Sequence, residues 1–203
     1  MYDLGPALDI EVDPGTNLLI AGSPLTGKQE LAFDVLATGV RQGEGVIVVT
    51  NTDSAEQVLQ DFNEHVPYEN NPVAVVDCVT RQQGVSDAIE SDRVRYTSSP
   101  EDMTGIGIQF SELLQEFYER QNVERNRVLF HSLSTLLMYS DLQTVFRFLH
   151  VFTGRVQSAD GLGLYTIDST AHDERTLNTL KQLFDGIVTT HEDAEPTVTL
   201  PGT

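Results

Sequence analysis

The sequence predicts a three-layer α/β/α fold built on a mainly parallel central sheet. Three observations carry this. Apolar runs of four to six residues alternate along the chain with segments of helical period. Residues 46–50 (Val-Ile-Val-Val-Thr) are β-branched throughout, as in a strand buried on both faces. A glycine-containing loop stands between the first such run and the first helical segment, at the strand end where ligands of α/β proteins bind.

The first strand is expected at residues 17–21, Asn-Leu-Leu-Ile-Ala, ending at a glycine. Helical spacing of Leu31, Val35, Leu36 and Val40 follows over 27–41, and Gly43 and Gly45 close it. After the strand at 46–50, Ser54 with Gln57 resembles a capping box opening a helix to about Phe62. Pro72 introduces a third apolar run, Val73 to Val76. Residues 80–103 are polar and aperiodic, and read as an irregular loop or insertion. A helix is expected from about Thr104 to Asn122, then a buried strand from Val128 to Phe130. Ser140 and Asp141 cap a helix to about Ser158. A strand from Leu162 to Ile167, a helix from Asp173 to Leu183, a strand from Gly186 to Thr190 and an edge strand from Thr197 to Leu200 complete the pattern. No linker or internal repeat interrupts it, so residues 1–203 are expected to form one domain.

The chain has 31 acidic residues against 12 basic ones, a formal charge of -19. Such a charge repels nucleic acids and anionic membranes, so neither is expected as a partner. There is neither a basic stripe nor an appended DNA-binding element. Lysine occurs twice, at positions 28 and 181. An acidic, lysine-poor surface is expected of a protein from saline cytoplasm, where the Debye length shrinks to about 3 Å at 1 M salt. A single cysteine, Cys78, excludes an intramolecular disulfide. With no secretory signal and no membrane-length apolar run, a cytoplasmic location is expected.

One of the two lysines lies in Gly22-Ser23-Pro24-Leu25-Thr26-Gly27-Lys28-Gln29, which reads as a phosphate-binding loop with its last position changed. Gly22 and Gly27 allow a tight turn whose backbone N–H groups converge on a phosphate chain. The following helix adds its positive end, and the Lys28 ammonium neutralises the terminal phosphates. ATP or a related purine nucleotide is the expected ligand. The complete motif ends in a Ser or Thr whose hydroxyl binds Mg²⁺. The amide oxygen of Gln29 is a poorer ligand, so firm Mg²⁺ binding is not expected.

Three further segments extend the pattern. Residues 52–58 (Thr-Asp-Ser-Ala-Glu-Gln-Val) follow the second strand, 127–137 (Arg-Val-Leu-Phe-His-Ser-Leu-Ser-Thr-Leu-Leu) form a strand and its exit, and 183–188 (Leu-Phe-Asp-Gly-Ile-Val) lie near the end. In this order the chain resembles the RecA-like P-loop ATPases of the KaiC type. Within them it is similar to the reduced, regulator-like relatives of halophilic archaea and to the gas-vesicle regulator GvpD. The resemblance spans about Gly15 to Leu200 and implies a RecA-like P-loop NTPase fold. It also implies that Asp53 and His131 face the terminal phosphate. Thr52-Asp53 stand where the family has a Glu-Glu pair that orients the attacking water, and His131 stands where it has the metal-holding aspartate. Histidine ligates Mg²⁺ poorly. With Gln29, these departures imply nucleotide binding with little or no hydrolysis, in signalling or regulation through protein contacts. Such relatives assemble into rings or filaments, which extends an expectation of self-association here. Two alternatives stay open: a slow ATPase with Asp53 as base and His131 as an electrostatic group, and a structural interaction module with a vestigial loop.

The remaining constellations are weaker. His172-Asp173-Glu174 and His191-Glu192-Asp193 set histidines beside carboxylates, but lack metal-site spacing and read as solvated caps. Ser132 and Ser134 near His131 suggest a hydrolase pair, yet no Gly-x-Ser-x-Gly turn accompanies them. Arg81, Arg93 and Arg95 form either a local positive patch or ordinary surface pairs.

Overall fold

The computed structural model describes residues 1–84 and 91–200. In chain order the elements are β1 (Tyr2–Asp3), β2 (Glu11–Val12), β3 (Asn17–Gly22), α1 (Lys28–Arg41), β4 (Gly45–Thr50), α2 (Ala55–His65), β5 (Val73–Asp77) and β6 (Val94–Tyr96). There follow α3 (Met103–Gln121), β7 (Asn126–His131), α4 (Leu133–Tyr139), α5 (Leu142–Ser158), β8 (Leu162–Asp168), α6 (Glu174–Lys181), β9 (Gly186–Thr189) and β10 (Thr197–Thr199). Eight strands form one sheet in the order β10-β9-β3-β8-β7-β4-β5-β6. All neighbours are parallel except β10, which runs antiparallel along β9 at one edge.

Strand side chains alternate between two cores. Leu18, Ile20, Val46, Val48, Val73 and Val75 point into the layer holding α1 and α2. Leu19, Ala21, Ile47, Val49, Ala74 and Val76 point into the layer holding α3, α4 and α5. This is why the central strands read as unbroken apolar runs rather than as alternating ones. On the second face Phe152 packs among Phe110, Phe130 and Phe148, with ring centroids 4.5 to 5.6 Å away.

Three elements depart from the sequence-based expectation. Residues 80–103 are not wholly irregular: Val94–Tyr96 pairs in parallel with Val75–Asp77 and forms the sheet edge. Residues 85–90 of that segment lie outside the described residues. The exit after β7 is a short helix, α4, capped by the Ser132 hydroxyl accepting from the Ser134 N–H. The N-terminal residues pair as β1–β2 and bury Tyr2 and Leu4, although two-residue strands leave almost no periodic signal. Gly43, at φ 77°, lies just past α1, whereas Gly45 opens β4 rather than closing the helix.

The three arginines of the 80–103 segment work as ties. The Arg93 guanidinium donates to the carbonyls of Tyr68, Asn71, Val73 and Glu69. Arg95 pairs with Glu116 at 2.8 Å, and Arg81 lies over the Tyr96 ring. They anchor the edge strand instead of forming one positive patch.

Asp77 ends β5 and is almost fully buried. Its carboxylate accepts from the N–H groups of Ala55, Val79 and Thr80 and from the Thr80 hydroxyl. It thus satisfies the first turn of α2 beside the Ser54 cap, which itself accepts from Gln57 N–H. Asp77→Ala is expected to strand four buried donors, three of them backbone N–H groups, and lower stability by about 3 kcal/mol or more. The shift of the urea midpoint at unchanged slope measures it.

Candidate functional site

The loop 22–28 sits at the carboxyl end of β3, between β8 and β9. The chain leaves β3 through α1 and rejoins the sheet at β4, two strands beyond β8. β9 lies on the other side of β3, so the strand order reverses here, the position where α/β folds bind ligands.

Gly22 is buried against the hydroxyls of Thr190 and Thr26, and a Cβ there would collide with both. Thr26 Oγ1 is 2.6 Å from Thr190 Oγ1 and donates to the Ser23 carbonyl at 2.8 Å, closing the loop on itself. Gly27 precedes α1 in the left-handed region, at φ 75°, so the first turn of α1 opens toward the loop with no side-chain cap. Pro24 and Leu25 form the outer rim, with Leu25 fully exposed at φ 63°. The Lys28 ammonium donates to the Gly22 carbonyl at 3.0 Å and to the Ser23 carbonyl at 2.5 Å. Burial holds its pKa below the usual lysine value, against the opposing pull of Asp168 and Glu30. Gln29 is half-buried in the first turn of α1.

His131 ends β7, two strands from β3. Its Nδ1 lies 2.7 Å from the buried Thr166 hydroxyl. Burial lowers its pKa, and Lys28 lowers it further, while Asp53 and Glu30 act oppositely. Asp53 follows β4, and its carboxylate accepts from the Thr52 hydroxyl at 2.9 Å. Gln29, Asp53 and His131 are therefore gathered around one end of the sheet with Lys28. Among the described residues no group of three or more His, Cys, Asp or Glu side chains is arranged to hold a metal ion. The Gln29 amide and the His131 imidazole do not supply the hydroxyl and carboxylate that an Mg²⁺–phosphate site uses.

His131 is held neutral in the native state above its lowered pKa. The unfolded chain takes up a proton below about 6.5, the ordinary histidine value, so stability is expected to fall as the pH drops from there toward the native pKa. His131→Gln is expected to flatten that slope below about pH 6.5, read from denaturation midpoints at successively lower pH.

Sequence reasoning missed several polar residues at this end. Asp168 ends β8; its carboxylate accepts from the Thr170 N–H and hydroxyl and stands within electrostatic reach of Lys28. Its place at the carboxyl end of an apolar run was the available signal. Asn51 clamps the β4 exit to the β7 exit, donating to the Ser132 carbonyl at 3.0 Å and accepting from the Ser132 N–H. The His131–Ser132 peptide between them is cis. Ser134 pairs with His172, at 2.8 Å, rather than with His131, and also accepts from the Asp168 N–H. That serine braces the β8 exit against α4. Beside the loop lies a cavity of about 160 Å³ bounded by Leu31 and Asp34 of α1, Thr190, His191 and Pro196.

This strand order defines a RecA/KaiC-like α/β fold. A KaiC-like protein from Pyrococcus horikoshii OT3, PH0186, superposes with a TM-score of 0.63 at 13% identity, over 93% of this chain and 79% of that one. An uncharacterized protein of Pyrococcus horikoshii, PH0321, in complex with an unknown peptide, superposes with a TM-score of 0.72 at 14% identity, over 95% and 86%. The chain itself belongs to a family of unknown function, DUF7504, whose model matches residues 15–190. No curated protein matches the sequence. Among the described residues no helix is long and apolar enough to cross a membrane.

Proposed function

We propose that this protein is a nucleotide-binding regulator of the KaiC-like kind that binds a purine nucleoside phosphate at the loop 22–28 and hydrolyses it slowly or not at all. The observation that carries the reading is Lys28. Its ammonium is held by two carbonyls of its own loop, beside a left-handed Gly27 and an uncapped helix start. That set is a cradle for a phosphate chain. The neighbouring cavity at Leu31, Asp34 and His191 offers a half-apolar place for the nucleoside. Weak hydrolysis follows from Gln29, Asp53 and His131, because phosphoryl transfer relies on metal and on water positioning.

The alternative of a slow ATPase rests on Asp53, whose carboxylate lies within electrostatic reach of His131. Titration with ATP, ADP and GTP, with and without Mg²⁺, in multimolar KCl, tests both readings when heat and phosphate release are followed together. Saturable binding without phosphate release supports the regulator. A kcat above roughly 1 s⁻¹, ordinary for working enzymes, would overturn it in favour of the ATPase. Absence of binding at millimolar nucleotide would leave the structural module.

A further inference from the structure

On the sheet face that carries α3, α4 and α5, the surface chemistry inverts along α4 and α5, while α3 keeps Glu112, Glu116 and Glu119. The chain has 31 carboxylates, yet from Asn126 to Ala159 Asp141 is the sole one. The exposed side of α5 shows Arg147, His150, Val151 and Arg155 instead. Arg147 and Arg155 form no ion pair among the described residues. Of the seven large hydrophobic side chains that are exposed among the described residues, five lie on this face: Ile108 and Tyr118 of α3, Met138 and Tyr139 of α4, and Val151 of α5.

Between α3 and α5 runs an open groove of about 600 Å³ walled by Ser111, Leu114, His150, Val151, Gly154 and Arg155, with no carboxylate in its lining. Ile108 and Tyr118 extend the same stripe of α3 one turn to either side, at helical spacing from Ser111 and Leu114. Arg155 is held in place by one guanidinium nitrogen, which donates to the Gly107 carbonyl at 2.8 Å and to the Ser111 hydroxyl at 3.2 Å.

Gly154 is the decisive detail. A glycine inside a helix costs about 1 kcal/mol relative to alanine. At Gly107 the missing Cβ makes room for Arg155, whose Nη1 would lie 2.8 Å away. At Gly154 a Cβ would meet nothing within 4 Å. Packing within the chain does not require that glycine; what it leaves is the open floor of the groove.

We propose that this groove docks an acidic amphipathic helix of a partner protein. Its apolar residues would lie along Leu114, Val151 and the Gly154 floor, and its carboxylates would meet Arg147, His150 and Arg155. Charge complementarity selects the occupant: in a chain of net charge -19 this is a cationic and apolar strip. A second copy of the chain paired symmetrically here would set Arg147 and Arg155 against their own counterparts. The surface deepens the regulatory reading above by naming the kind of partner, and it does not require nucleotide.

The test uses two labelled helical peptides of about 17 residues, the length of α5. One has leucine at every third or fourth position and glutamate on its flanks; the other carries lysine in place of glutamate. Fluorescence anisotropy follows their binding to the full chain, to Gly154→Leu, to Arg155→Glu and to Lys28→Ala. The acidic peptide is expected to bind saturably. Gly154→Leu, which fills the floor while improving helix propensity, and Arg155→Glu are each expected to weaken it about tenfold or more, with thermal melts no lower for Gly154→Leu. Lys28→Ala is expected to bind the acidic peptide like wild type, which separates this surface from the nucleotide site. No saturable binding of the acidic peptide, or binding indifferent to Gly154→Leu, would overturn the proposal. So would a dimer in sedimentation that Gly154→Leu abolishes, since the occupant would then be a second copy.

Discussion

Glu44→Ala is expected to be the most destabilising single substitution away from the apolar cores, by about 3–5 kcal/mol. Glu44 is almost fully buried just after α1. One carboxylate oxygen accepts from Arg125 Nε at 2.8 Å and the other from Arg127 Nε at 2.5 Å. Arg127 is completely buried, and its Nη1 also donates to the carbonyls of Asp3 and Val35. Its Nη2 has no hydrogen-bond partner among the described residues. Removing the carboxylate would leave a guanidinium cation in the core with no counter-charge, held only by carbonyl dipoles and the Tyr2 ring. The same substitution loosens the N-terminal hairpin, because Tyr2 is gripped between Arg125, 4.2 Å from its ring centroid, and Arg127 at 5.5 Å. The double variant Glu44→Leu/Arg127→Met removes both charges together and is expected to lose less than Glu44→Ala alone. Urea melts of the single and double variants measure this. Equal losses would show that the ion pair is not what matters.

Lys28→Ala is expected to raise the Kd for nucleotide about 100-fold or more. A charge-assisted hydrogen bond contributes about 1.5–3 kcal/mol, and in the proposed binding mode the lysine ammonium meets the phosphates directly. Concentrated salt does not erase the difference, because no counter-ion fits between groups in direct hydrogen-bonded contact. Stability moves less: the variant gives up two hydrogen bonds to carbonyls that sit at the open end of the sheet. Calorimetric titration of folded Lys28→Ala against wild type reads the effect. Unchanged affinity would place any bound nucleotide elsewhere. Magnesium is expected to change wild-type affinity little, since Gln29 and His131 replace the groups that would hold it.

Much of this architecture was legible in the chain because burial on both faces leaves a strong signal. The runs at 17–21, 46–50 and 73–76 each became a strand, and the Ser54 and Asp141 caps sit where side-chain spacing put them. The loop 22–28 was legible for a different reason: its glycines and lysine are local and contiguous in one turn. The elements that escaped were those whose stability comes from elsewhere. β6 is three residues long and is held by Arg93, which reaches carbonyls more than twenty positions away, and by the Arg95–Glu116 pair. The β1–β2 pair exists because Tyr2 is gripped by two arginines more than 120 positions later.

What the sequence by itself determined was the layer architecture and the placement of the loop 22–28 at the end of β3. Periodicity and turn chemistry are local properties, and a chain displays them without its fold. The tertiary structure alone decided the company that individual residues keep: Asp168 beside Lys28, Thr166 against His131, Ser134 with His172 instead of His131, and a glycine-floored groove between two helices. Each of these joins side chains on different strands or helices. Contacts of that kind depend on strand order and helix packing, which no spacing within a single segment encodes.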